Sequence, residues 1–179
     1  MASRVLGLAR VGDLEVLLSR DHAELDRYAR ELITIDVFTK GWWLALDGAR
    51  LAFAAHAEAT ERVFNYVLAS MPTLRSPQFD KALASHRAQE ATLHRLVSNK
   101  TDGGRVAADA IELRALLLTH DEHDRLLLLP SLRRSMTDPE YAPLAGLYAR
   151  ERVRALGQLH TVSVGRHRAQ RADTDVGLR

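Results

Sequence analysis

The stretch LLLTHDEHDRLLLLPSL, residues 116–132, decides how the chain is read. Leucine dominates it, yet His120 and Asp124 stand in its middle, four residues apart. On a helix that spacing stacks two side chains on one face, one turn apart. Leu113, Leu116, Leu117, Leu127 and Leu128 continue the same face before and after them, so the pair is expected to point inward. An imidazole and a carboxylate are expensive in an apolar interior unless they are paired or bound to a metal. The reading then turns on whether other helices bring matching groups to the same place.

Working outward, the remaining chain reads as long helices with short connections. A first helix is expected from about Leu14 to Ile35, its stripe formed by Leu14, Leu18, His22, Leu25, Ala29 and Leu32. A second is expected from about Gly41 to Ser70, with Ala49, Phe53, His56, Thr60, Val63 and Val67 on one side. Ser76-Pro77 is a helix-start signal. It opens a third helix to about Asn99, whose inner residues are expected to be Phe79, Leu83, His86, Glu90, Leu93 and Val97. KTDGG (100–104) is a loop signal, and a fourth helix follows to about 136, with Pro130 tightening its last turns. Asp138-Pro139 restarts a fifth helix to about His160, followed by a basic polar tail. The organisation expected is a lead over 1–12, a bundle over 13–136, and a fifth helix with tail over 137–179. The fold class is all-α, an up-down-up-down four-helix bundle with an additional C-terminal helix.

Composition narrows the function classes. The 179 residues carry a net charge of only +2, which gives no electrostatic case for nucleic acid or a membrane surface. With no cysteine, disulfides, thiolate nucleophiles and thiolate metal sites are excluded, and a reducing, cytoplasmic setting is expected. No apolar run approaches the roughly 20 residues of a membrane span, and MASRVLGLAR lacks the apolar core of a secretory signal. The glycines at 103–104 have neither a strand before them nor a lysine after, so they are not a phosphate-binding loop.

Distances from the shared turns place His22, His56, His86 with Glu90, and His120 with Asp124 at one height of the bundle, to within roughly one or two helical turns. A lone histidine on an apolar stripe reads as a hydrogen-bonded core residue. One per helix at a common level reads as a metal site. Imidazole and carboxylate without sulfur suit iron or manganese, with zinc also compatible.

The constellation resembles the hemerythrin-like family, also called the HHE cation-binding domain. The resemblance rests on DHAEL (His22), HAEAT (His56 to Thr60), HRAQE (His86 to Glu90) and HDEHD (His120 to Asp124), with LLLLP ending at Pro130. It covers about 14–136 and lies in the order and spacing of the motifs. It implies a four-helix bundle holding two iron ions with bridging carboxylates, and activities in O2 binding, peroxide or nitric oxide handling, or iron and redox sensing. The metal set it implies here is His22, His56, His86, Glu90, His120 and Asp124.

One departure matters. The second motif of the family carries a carboxylate where this chain has Thr60. Either the position stays open to water, hydroxide or a substrate carboxylate, or another side chain such as Asp26, a tyrosine or His123 serves, or the site holds a single metal. An open position admits small molecules directly to metal. The expectation is therefore a di-iron protein that reacts with or binds O2, hydrogen peroxide or nitric oxide, leaning towards an oxidoreductase. The alternatives are a sensor acting through a partner surface and a di-iron oxidase of a small organic substrate. The segment after Met136 is expected to cap the bundle or to support a homodimer.

Overall fold

The computed structural model describes residues 13–176, and the side chains of 14–158; the expected lead over 1–12 lies outside the described residues. The described chain is helical without strands: α1 (Asp13–Thr34), α2 (Lys40–Ser70), α3 (Pro77–Ser98), α4 (Gly103–His123), α5 (Leu129–Ser135) and α6 (Asp138–Val176). A 3₁₀ turn, Pro72–Leu74, precedes α3, and a π-helical turn, Asp124–Leu128, joins α4 to α5. Neighbouring contacts run α1 to α2, α2 to α3, α3 to α4 and α4 back to α1, closing the four-helix ring. The long α6 lies chiefly along α2 and also touches α1. No described helix is long and apolar enough to cross a membrane.

Local chemistry explains the ends. Thr39 caps α2 by accepting the Trp42 N–H, and Asp102 caps α4 by accepting the Arg105 N–H. Between α1 and α2, Phe38 adopts φ 68°, and its ring packs against Trp42 and Trp43. Trp42 is fully buried and donates its indole N–H to the Leu32 carbonyl at 3.2 Å. Ser76 precedes α3 as expected, but its hydroxyl makes no capping bond. α6 continues past the expected end near His160 as far as Val176, with no proline in that stretch to end it.

Two apolar cores fill the bundle. One gathers Leu25, Leu32, Trp42, Leu46, Phe53, Leu93, Leu96, Leu113 and Leu117. The other gathers Leu14, Leu18, Val63, Phe64, Phe79, Leu128, Leu132, Tyr141 and Leu144. On every helix of the ring the change from one core to the other is marked by a histidine. His22 lies between Leu18 and Leu25, His56 between Phe53 and Ala59, His86 between Ala82 and Leu93, and His120 between Leu117 and Leu128. The histidines form a polar layer with a dry core on each side.

The expected fourth helix is not continuous. At Asp124 the backbone widens into the π turn, and the Leu129 N–H reaches back five residues to the Asp124 carbonyl. Pro130, with no N–H to give, follows directly. In a straight α-helix Leu127, seven residues after His120, would return to the inner face. The wide turn delays that return by one residue, so Leu127 is 45% exposed and Leu128 is 1% exposed. The expectation for Leu127 is corrected accordingly.

This register makes a measurable difference between adjacent leucines. Leu128→Ala is expected to cost about 2–5 kcal/mol, and Leu127→Ala less than about 0.5 kcal/mol. Urea unfolding of the two variants checks the order, which a straight α-helix would reverse.

Candidate metal centre

The stripe logic of each helix delivers one imidazole to the polar layer, and the fourth adds a carboxylate. His22, His56, His86, His120 and Asp124 are all buried and brought together. His86 Nε2 and His120 Nε2 are 3.0 Å apart, and His56 Nε2 and His120 Nε2 3.5 Å. Asp124 Oδ2 lies 3.4 Å from His120 Nε2 and 3.9 Å from His22 Nε2. The ring centroids of His22 and His56 are 4.8 Å apart. His22, His56 and His120 each offer a ligand atom within 4.8 Å of the others, so this buried trio could hold a metal ion.

Two further observations fit a cation. His22 Nε2 and Asp124 Oδ2 are buried with no hydrogen-bond partner, although both face the cluster. Donors bound to one ion at about 2.1 Å stand about 3.0–3.4 Å apart when adjacent in the coordination sphere. The closer donor separations here fall in or near that range.

Outer contacts hold several of these donors. His22 Nδ1 is 2.7 Å from Asp121 Oδ1. His56 Nδ1 is 2.9 Å from the Tyr148 hydroxyl of α6. That hydroxyl donates to Asp21 Oδ2 at 2.5 Å, and Arg152 Nε donates to the same oxygen at 2.6 Å. Asp124 Oδ1 faces His123 Nδ1 at 3.3 Å, and His123 Nε2 meets Gln78 Oε1 at 2.7 Å. Such outer partners fix ring tautomer and carboxylate orientation in metal sites.

Electrostatics keeps the rings in the form that binds metal. Burial holds His56 well below the ordinary imidazole value, with His22 and His120 adding to the effect. Burial likewise pushes His86 down to about 3, and His120 to about 3 against the opposing pull of Asp124. His56, His86 and His120 are therefore neutral imidazoles at neutral pH. The hydrogen bond from His22 holds the Asp121 carboxyl below its usual range. Burial, with Asp21 beside it, raises Tyr148 well above the ordinary phenol value.

Glu90 is not brought to the site. It is exposed on α3, and the inner position belongs to Gln89. α3 buries Phe79, Ala82, His86, Gln89, Leu93 and Leu96, alternating steps of three and four residues. That alternation carries the inner face to Gln89 one residue before Glu90 is reached. Gln89 donates to Ser85 Oγ at 3.1 Å and to the Leu116 carbonyl at 3.4 Å. Thr60 is buried beside His56 and donates its hydroxyl to the His56 carbonyl at 2.8 Å. His123 supports Asp124 from behind rather than joining the convergent nitrogens. Asp26 lines the same cavity as His22 but is taken up by ion pairs with Arg114 at 2.8 Å and Arg30 at 3.2 Å.

Sequence reasoning missed Asp21, Asp121, Gln78, Tyr148 and Arg152. The signal for two of them was present: Tyr148 lies on the α6 stripe with Tyr141 and Leu144, and Arg152 follows it by one turn. A buried tyrosine on such a stripe needs a partner for its hydroxyl.

The depressed imidazoles make metal-free protein acid-sensitive. For His86 and His120 the unfolded chain binds more protons than the folded one between about 3 and 6.5. Stability is fully present above that window and falls as pH drops through it, by up to about 1.4 kcal/mol per pH unit for one such group. The urea midpoint of metal-free protein is expected to fall from pH 7 to pH 5, and His86→Leu to flatten the profile. An equally steep profile in the variant would contradict the assignment. No family model, curated protein or solved structure matches the chain.

Proposed function

We propose that the chain is a non-haem iron protein of hemerythrin-like character that binds or reacts with O2, hydrogen peroxide or nitric oxide. The observation that carries this reading is the convergence of four Nε2 atoms and Asp124 Oδ2 between two dry cores. Nitrogen and oxygen donors without sulfur suit iron or manganese, with zinc also compatible. Iron, when bound, supplies the redox and coordination chemistry that these small molecules require. The chain's own part is to hold the donors, keep the imidazoles neutral and exclude bulk water.

The donor set supports one ion rather than two. Paired metals about 3.5–4 Å apart repel, and bridging carboxylates offset that repulsion. Here Glu90 faces solvent and position 60 is a threonine, which leaves Asp124 as the one carboxylate among the convergent donors. One divalent ion with one carboxylate leaves a modest buried charge; two would leave a much larger one.

Access favours small reactants. A cavity of about 180 Å³ between α1 and α4 is lined by Ser19, His22, Ala23, Leu117, Leu118 and Asp121 among others, and so reaches His22. That is below the roughly 300–1,000 Å³ of ordinary ligand pockets, which weighs against an organic substrate. A second reading, a sensor of these molecules, is favoured by the hydrogen bond between His56 and Tyr148 of α6. It ties the site to a helix outside the four-helix ring.

Anaerobic loading with ferrous iron followed by elemental analysis tests the main reading, with about one iron per chain expected and none retained by His120→Ala. Addition of nitric oxide or peroxide should then change the absorption spectrum. Protein that retains no iron with all five donors intact would end the reading, and two irons per chain would reinstate the paired form. For access, Leu118→Trp should slow the nitric oxide response several-fold while leaving iron content unchanged, as followed by stopped-flow absorbance.

A further inference from the structure

Tyr148 belongs to α6, outside the ring of four helices, yet its hydroxyl is the hydrogen-bond partner of His56 Nδ1. His56 and Tyr148 are both buried, at 0% and 1% exposure. The hydroxyl has one proton. Asp21 Oδ2 claims it at 2.5 Å, because that carboxylate is itself held by Arg152 at 2.6 Å and can only accept. The Tyr148 oxygen therefore presents a lone pair to His56, and His56 Nδ1 must be the donor. With its proton on Nδ1, the ring has its free lone pair on Nε2, the atom 3.5 Å from His120 Nε2. Arg152 is held in turn by Glu24 at 2.8 Å, so the chain of contacts ends on a charged pair near the surface.

Position 60 completes the picture. Thr60 is 2% exposed and stands near the Tyr148 hydroxyl, while its own hydroxyl donates to the His56 carbonyl. A longer acidic side chain there would crowd the phenol and set a second carboxylate near Asp21. The short side chain at 60 and the phenol arriving from α6 belong together.

Resting on the metal-centre reading above, we propose that Tyr148 is a positioning residue for His56. Held by Asp21 and Arg152, it fixes the Nδ1–H tautomer and so makes His56 Nε2 a metal donor. The C-terminal helix is thereby part of the site. Tyr141 is the internal control. It sits two turns earlier on α6, in the same apolar core, is 1% exposed, and donates its hydroxyl to Glu15 Oε1 at 2.8 Å instead of to the groups around His56.

The test uses the full chain and Co²⁺ as probe, with affinity read by chelator competition and geometry by the visible ligand-field spectrum. Tyr148→Phe is expected to weaken Co²⁺ binding about 10–100-fold and to shift the spectrum. Tyr141→Phe is expected to lower thermal stability with affinity and spectrum unchanged. Nitrogen-15 NMR of the metal-free imidazoles should show His56 as the Nδ1–H tautomer in the natural chain and a shift towards Nε2–H in Tyr148→Phe. If Tyr148→Phe does not fold, Asp21→Asn, of matched size, should give the same change in affinity and tautomer. Natural affinity and spectrum in Tyr148→Phe, or in Asp21→Asn where that variant replaces it, would overturn the proposal, as would equal weakening by Tyr141→Phe. Failure of the natural chain itself to bind Co²⁺ would instead overturn the metal reading on which the proposal rests.

Discussion

His86 Nε2 and His120 Nε2 stand 3.0 Å apart inside the bundle, and between them they can share at most one proton. A third nitrogen, His56 Nε2, comes within 3.5 Å of His120, and Asp124 adds an oxygen at 3.4 Å. Protonating the rings to relieve their lone pairs would bury several positive charges in a medium that solvates them poorly. Leaving them neutral sets lone pairs against one another. The buried trio of His22, His56 and His120 could hold a metal ion, which would relieve such lone pairs at a single point. The rest of the architecture follows from keeping that point dry and the four rings level.

The two apolar cores are how the chain meets this demand. Leucines, alanines and aromatics above and below the polar layer supply the burial that a layer of imidazoles cannot. Buried polar atoms without partners, among them His86 Nδ1 and His120 Nδ1, lie within the layer. They are the kind of local conflict that folded proteins tolerate where a site requires it and offset elsewhere.

The histidine layer was legible in the sequence because each ring replaces an apolar residue on an otherwise unbroken helical stripe, and short connections fix the heights. Glu90 was misread because α3 follows a three-and-four alternation. A shift of one residue separates an inner glutamine from an outer glutamate, and the periodicity alone does not resolve it. The helix break was half visible: Pro130 announced a disturbance, but not that it would take the form of a wide turn at Asp124. Tyr148 and Asp21 were hidden for another reason. Their meeting depends on α6 lying along α2 and α1, a long-range choice that no local pattern encodes. Thr60 looked like a defect in a motif. Beside Tyr148 it is a matter of fit.

The π turn has a consequence for how securely the register of the following residues is held. A widened turn is a slack residue in the backbone ladder, and slack of this kind can travel along a helix as bonds are exchanged one by one. Travel toward the C-terminus is barred here, because the next amide that would have to be handed over is missing at Pro130. A ring six positions downstream of Asp124 thus acts as the stop that keeps the wide turn in place, and with it the rotation that buries Leu128 and leaves Leu127 outside.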